Sequence, residues 1–485
     1  MSSANQRPVI VWFRNDLRLA DNPAVAAAAA TGAPVVALYI YAPEDEGAWR
    51  PGAASRWWLH HSLCSLRERL AQAGNQLIVR CGNTVEELGA AVKQSRATRV
   101  FTNSRVEPFA RSVEAQCARM LVECGADLVT FQSSWLAAPG TVVNGQGCAY
   151  QVFTPFFKTW SSIVAARPVI EAPQHIAKLH GNPRSMSVES LGLLPKLNWA
   201  DEFSSHARPG EFGARKALAA FINEGAEDYA ASRDLLGSEG TSRLSAHLHF
   251  GEISPNEVVH ALEQRTGPAW KSSKYVAELA WREFAAHLLH AFPHLPERPM
   301  RPEFERFEYR AERGEVLDWL AAWQRGRTGY PVVDAAMRQL WATGWMHNRA
   351  RMIVASFLIK DLLIDWRTGA KWFWDTLVDA DLANNTMGWQ WAAGCGPDAA
   401  PFFRIFNPIT QGEKFDPKGK YVRRWVPELR NLADEWIHQP WKAPSAALGK
   451  AGVELGRTYP EPIINHAIAR EVALEKYQRL RQQSA

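Results

Sequence analysis

At 485 residues the chain exceeds what one hydrophobic core ordinarily serves, so two or three domains are expected. Its 55 Lys and Arg against 50 Asp and Glu give a formal net charge of +5, which permits a phosphate-backbone partner without demonstrating one. Six Cys with no C-x-x-C spacing suggest neither a zinc site nor a disulfide framework and fit a reducing cytosol, while a polar start and no apolar run near ~20 residues point to a soluble intracellular protein.

Val9–Phe13 is a short apolar run, followed by the charged turn Arg14-Asn15-Asp16-Leu17-Arg18, an Ala-rich helix from near Pro23 and a second run over 34–41. That is a strand-helix-strand unit. Further runs at 76–80, 99–102 and 127–131 alternate with helical stretches at 55–73, 84–96 and 107–124. The pattern predicts a doubly wound parallel sheet, Rossmann-like, in an N-terminal domain of residues 1–132. The first turn has no G-x-G-x-x-G, so any ligand here would sit at the strand ends without a dinucleotide fingerprint.

Residues 133–210, with Pro139-Gly140, Asn144-Gly145 and Pro- and Ser-rich sequence, read as a connector interrupted by one helical patch at 152–166. Residues 211–485 read as a helical domain. Ser254-Pro255-Asn256-Glu257 is a capping box with Pro at the first helical position, opening a helix that Gly267-Pro268 closes. Upstream, Gly240-Thr241-Ser242-Arg243-Leu244-Ser245 enters a helix, a place for phosphate or for simple hydroxyl capping. In the helix expected over 274–290, Glu278, Trp281 and Arg282 share a face, which suits a planar ligand and equally a salt bridge beside a core indole. Another helix is expected from Pro331 to about 342. After a break at Gly344, one more is expected over 346–364, with Asn348, Arg351 and Met352 on one face and Arg349 pointing elsewhere.

The stretch Asp379-Ala380-Asp381-Leu382-Ala383-Asn384-Asn385-Thr386-Met387-Gly388-Trp389-Gln390-Trp391 is poor material for a plain amphipathic helix, because Asp, Asn and Gly favour caps and turns. Its carboxylates, carboxamides and indoles would be satisfied by a large ligand with amide-like ring edges and a sugar-phosphate tail. A helix end with two Trp plugging a core is the plain alternative.

Taken together, Trp12-Phe13-Arg14-Asn15-Asp16-Leu17-Arg18, Glu239-Gly240-Thr241-Ser242-Arg243-Leu244-Ser245, Trp281-Arg282-Glu283-Phe284, Thr328-Gly329-Tyr330-Pro331, Gly344-Trp345-Met346-His347-Asn348-Arg349 and Gly388-Trp389-Gln390-Trp391 closely resemble the photolyase and cryptochrome family, nearest to bacterial class I cyclobutane pyrimidine dimer photolyases. The resemblance implies an α/β domain for a light-harvesting antenna and a helical domain holding FAD, active when reduced. It implies that Tyr229, Thr241, Ser242, Arg243, Leu244 and Ser245 grip the FAD phosphates. Tyr275, Arg282, Asn348, Ala380 and Asp381 complete the FAD site, Asp379 pairs with Arg351, and Asn385 meets the flavin N5.

By the same likeness the protein acts on ultraviolet-damaged DNA, flipping a cyclobutane dimer into a pocket where excited FAD donates the electron that splits it. Glu278 would hydrogen-bond the 5′ thymine, Trp281 and Trp391 would stack on the dimer, and Asn348 and Met352 would line its other side. Arg233, Arg349, Gln411 and Lys414 match positions that meet the DNA backbone. Trp389 and Trp366 match the two inner members of an electron relay. Arg313 stands where relatives carry the outer Trp, leaving Tyr309, Trp319 or another aromatic to substitute.

Asn348 and Met352 replace the two His of the six-four branch, which favours cyclobutane dimers. Retained Glu278, Trp281 and Trp391 favour repair over a cryptochrome-type blue-light photoreceptor, the alternative reading. Leu295-Pro296-Glu297-Arg298 replaces a Cys-Lys pair of folate-binding relatives, so folate is disfavoured as antenna. Glu107 matches an antenna-contacting carboxylate, and Arg56-Trp57-Trp58 could face a deazaflavin or another ring. A monomer without an obligate protein partner, a metal or a membrane is expected, in the cytoplasm.

Overall fold

The computed structural model describes residues 6–181, 183–398 and 403–484. Five apolar runs become strands: β1 (Val9–Phe13), β2 (Val35–Tyr41), β3 (Leu77–Cys81), β4 (Arg99–Asn103) and β5 (Asp127–Phe131). They pair in parallel in the order β3-β2-β1-β4-β5. Strands apolar on both sides need cover on both sides. Val9, Val11 and Phe13 pack with residues of helices α1 (Pro23–Ala30) and α2 (Ala53–Gln72). Ile10 and Trp12 point the other way, toward α3 (Thr84–Ser95) and α4 (Pro108–Glu123). Strand order reverses between β1 and β4, so this architecture opens a crevice at the carboxyl ends there.

The helical half shares the first of these cores, because Ala246, Phe250 and Val378 pack into it beside Phe203. Arg18, fully buried, fastens the junction by donating to the carbonyls of Gly251, Asp21 and Ser133. Gly251 has φ +64°, and a Cβ there would lie 2.2 Å from the Asn15 carbonyl oxygen, so only glycine permits that approach. On the other flank, Trp374 Nε1 donates to Arg50 O at 2.8 Å and Ala53 N to Asp375 Oδ1 at 2.8 Å. Connector residues bridge to the sheet at Val35 with Lys178 and Val79 with Met186, and its helical patch forms α5 (Phe153–Ile163). Among the described residues no helix is long and apolar enough to cross a membrane.

One reading of a helix is extended and one is corrected. The polar stretch at 379–391 forms a helix, Leu382–Ala393, whose Asp381 cap accepts from Asn384 N at 2.9 Å and whose Gly394 ends it at φ +86°. Asp and Asn fall where the first turn's unpaired N–H groups need acceptors, so their capping preference starts the helix instead of breaking it. The segment expected as one helix over 346–364 is Asn348–Ser356 followed by a widened turn, Phe357–Asp361. That turn ends in buried Lys360 and Asp361, which find partners in Ala393 O and His466 Nδ1. The capping box at Ser254 forms as read, with both of its hydrogen bonds present.

Candidate active site

Four helices of the second half, Lys274–Ala291, Asn348–Ser356, Trp366–Thr376 and Leu382–Ala393, enclose with the 241–245 loop a cavity of about 550 Å³. Its walls hold Tyr229, Arg233, Thr241, Ser242, Arg243, Leu244, Ser245, Tyr275, Glu278, Trp281, Arg282, Asn348, Arg349, Arg351, Met352, Asp379, Ala380, Asp381, Asn385, Trp389 and Trp391. Residues as far apart in the chain as Tyr229 and Trp391 thus meet around one volume. Five arginines face four carboxylates, counting Asp398. That balance suits a ligand carrying phosphates.

Local contacts fix these groups. Arg351 Nη2 donates to Asp379 Oδ2 at 2.8 Å and its Nε to Met346 O at 2.8 Å. The Asp379 side chain is 2% exposed, yet its Oδ1 has no hydrogen-bond partner among the described residues. Burial pushes the Asp381 carboxyl up, but His249, Arg282 and the Asn384 N–H outweigh it and hold the group well below the usual carboxylate range. Asn385 commits its Nδ2 to Ala370 O at 3.0 Å, so Oδ1 is the atom it can offer the cavity. Tyr275 donates to Ser242 Oγ at 2.9 Å, and burial raises its phenol to about 12. Glu278 pairs with Arg233, and Asp234 links onward to Arg349 at 2.9 Å.

Arg349, expected to point away from Asn348 and Met352, lines the same cavity and lies over Phe415, 4.4 Å from its ring centre. The pull of Asp234 and Phe415 overrides helical spacing. Lys414 reaches the same ring from the helix Pro408–Phe415, which also carries Gln411; neither lines the cavity. Trp366 is buried behind it in the core shared with Trp389. Trp389 meets Phe373 at 5.0 Å and Trp323 at 6.3 Å between ring centres. Arg313 is exposed, Arg310 lies over Trp319, and Tyr309 packs on Phe307.

Among the wall residues that sequence reasoning did not assign to the site are His249, Trp345 and Asp398. His249 stands 3.5 Å from Asp381 Oδ2, with nothing but tertiary structure to announce it. Trp345 carries the Arg243 guanidinium 3.5 Å above its ring; Arg243 has φ +58°, a left-handed conformation rare for such a residue. Asp398 joins the wall from a loop.

A second cavity, about 100 Å³, opens at the carboxyl ends of β1 and β2, with Tyr41, Arg105, Glu107, Phe109 and Trp374 on its walls. Glu107 holds Arg105 through two bonds of 3.0 and 3.1 Å. His249 and Ala380 line both cavities. Trp57 and Trp58, read as able to face a ring, are instead core, packed on Phe203 and His247 respectively. Leu295 and Arg298 give their carbonyls to Gln390, away from this pocket.

Residues 9–174 match the family profile described as DNA photolyase, and residues 275–479 that described as the FAD binding domain of DNA photolyase. A deoxyribodipyrimidine photo-lyase of Agrobacterium fabrum is 45% identical over 478 residues, 98% of each chain. Cryptochrome-1 of Arabidopsis thaliana is 38% identical over 94% of this chain and 68% of its own. The crystal structure of a bacterial class III photolyase from Agrobacterium tumefaciens superposes with a TM-score of 0.94 at 45% identity, covering 99% of both chains. With both of the family's domains present in order and relatives matched end to end, the chain belongs to the DNA photolyase and cryptochrome family.

Proposed function

We propose that the chain is a light-driven deoxyribodipyrimidine photo-lyase that splits cyclobutane pyrimidine dimers in ultraviolet-damaged DNA. The observation that carries this reading is that Glu278, Trp281, Asn348, Met352 and Trp391 line the same cavity as the FAD-site residues. FAD fits that cavity on its chemistry. The unpartnered Asp379 Oδ1 awaits a donor, the arginines suit a pyrophosphate, and the Ser242 and Tyr275 hydroxyls flank the 241–245 loop.

When bound and reduced, FAD supplies on blue-light excitation the electron that opens the dimer's two carbon–carbon bonds and takes it back afterwards. The protein's own work is placement. Asp379 and Arg351 would hold the ring edge, Asp381 would meet the ribose and adenine side, and Asn385 Oδ1 would accept from the reduced ring's N–H. Trp281 and Trp391 stack on the flipped bases, an interaction worth roughly 1–3 kcal/mol per base. Glu278 holds the 5′ thymine, and its partner Arg233, with Arg349, Gln411 and Lys414, meets the backbone. Trp389 and Trp366 would relay electrons from a reductant in solution toward an oxidised flavin. The second cavity takes a flat antenna ring beside Glu107, Phe109 and Trp374. In this reading the enzyme works as a cytoplasmic monomer, with an antenna domain to residue 132, a connector to 210 and a catalytic domain beyond.

The test is repair of ultraviolet-irradiated oligothymidine by the purified, reduced protein under blue light, followed by recovery of thymine absorbance. Recovery that depends on light supports the reading. No recovery despite bound, reduced FAD defeats it and transfers the case to a photoreceptor, the reading favoured by the likeness to cryptochrome-1, or to six-four repair.

A further inference from the structure

The connector helix α5 has no role in the reading above, yet its first residue touches the lesion wall. The Phe153 ring stacks on the Trp281 indole with 3.7 Å between centres and 7° between planes. Trp281 lines the cavity and Phe153 does not, so Phe153 stands behind the indole rather than beside a ligand. Among the described residues, the other ring contact of Trp281 is with Phe284, edge-on at 5.8 Å and 71°. Such an edge contact constrains tilt far less than a covered face.

α5 is held at both ends by groups that belong to the active-site half. At its start Val152 offers no cap, and the Phe153 N–H donates instead to Asp398 Oδ1 at 3.1 Å. The Asp398 N–H in turn donates to Gln151 O at 3.0 Å. A carboxylate there satisfies an otherwise unpaired helix donor and complements the dipole. Toward its end, the fully buried Trp160 donates its Nε1–H to Glu283 Oε2 at 2.6 Å. Glu283 also accepts from the N–H groups of Leu136 and Ala137, so one buried carboxylate ties α5 and the connector's first residues together. Glu283 lies two residues beyond Trp281 on the same helix. The register between the Phe153 ring and the Trp281 indole is therefore set by hydrogen bonds on either side of the stack, one of them from a cavity residue.

We propose that Phe153 is a positioning residue, which fixes the face of Trp281 against which the flipped dimer stacks, with Asp398 and Glu283 holding α5 in the register this requires. The proposal rests on the photolyase reading. An indole free to tilt gives up part of its stacking with the lesion while leaving phosphate contacts intact. The effect falls on discrimination between damaged and undamaged DNA, not on DNA affinity in general.

The experiment measures, in the dark, binding of the flavin-loaded full chain to a dimer-containing and an undamaged oligothymidine. It compares the wild type with Phe153→Ala, Phe153→Leu, Trp281→Ala and the Phe153→Ala, Trp281→Ala double variant. Both single Phe153 variants should lower the preference for the dimer roughly three- to tenfold with flavin content unchanged. The double variant should be no worse than Trp281→Ala, because a residue acting through the indole has nothing to act on once it is gone. A wild-type preference in Phe153→Leu, which keeps bulk but loses the flat face, makes Phe153 mere filler and overturns the proposal. So does an additive loss in the double variant, or flavin lost from both Phe153 variants. A wild type with no preference for the dimer removes the photolyase reading itself and this proposal with it.

Discussion

Gly369 lies inside the helix Trp366–Thr376, where alanine normally stabilises by about 0.5–1 kcal/mol. Here the opposite is expected. A Cβ on Gly369 would sit 2.1 Å from Trp389 Cη2, 2.3 Å from Cζ3 and 2.6 Å from Leu358 Cδ2. Carbon atoms settle at about 3.5–4.0 Å, so the indole must retreat by more than about 1 Å in a core where Trp389 is 2% exposed. Overpacking of this kind costs about 1–3 kcal/mol, and set against the helix gain it leaves Gly369→Ala roughly 1–2 kcal/mol less stable. Urea unfolding of the flavin-loaded protein reads that number, and blue-light reduction of the oxidised flavin reads the displacement of Trp389. Trp389→Phe alone should block photoreduction while sparing repair by chemically reduced enzyme. Combined with Gly369→Ala it should restore much of the lost stability, because the smaller ring ends short of the clash. A stable Gly369→Ala, or a double variant that simply sums the two losses, would refute the packing argument.

Arg351→Ala strands the Asp379 carboxylate, so roughly 2–3 kcal/mol of stability should go, below the full cost of breaking a buried pair because Arg351 is 25% exposed. Adding Asp379→Asn should recover part of it in urea unfolding, and no recovery would mean that Arg351 matters through Met346 O instead. His347 is held near pH 4 against a usual 6.5 by burial and by neighbouring arginines, Arg243 first. The folded state thus binds fewer protons than the unfolded chain between those values, and stability must fall as pH drops from 6.5 to 4, by about 3 kcal/mol at most. Its Nδ1 caps the next helix by accepting from Arg349 N at 3.1 Å. His347→Asn keeps a capping acceptor without titrating, so its Tm should drop less than that of the wild type across this window, and parallel curves would reject the assignment.

Much of this architecture was legible because its signals are local. The β-strands announced themselves as apolar runs, and the capping box at Ser254 needs only four neighbouring residues. The 379–391 stretch was legible in its caps, since Asp381 does start a helix, but not in its length, because Asn384, Asn385 and Gly388 give no local sign that the helix runs on to Ala393. Arg349 could not be placed from helical spacing, since Asp234 and Phe415 that redirect it lie 115 and 66 positions away in the chain. The residues gathered around the large cavity came from motifs scattered between 229 and 391, and their convergence followed from family likeness, not from periodicity. His249 offered no such handle, and Trp57 and Trp58 show the converse, aromatic rings that read as ligand-facing but serve the core.

His249 and Ala380 belong to the walls of both cavities. A side-chain change at either position therefore reaches both cavities at once. Phe109, Pro43 and Asp45 line the smaller cavity alone, so a substitution there leaves the walls of the larger one unchanged. Adjustments confined to the smaller cavity are therefore open only on the walls it does not share with the larger one.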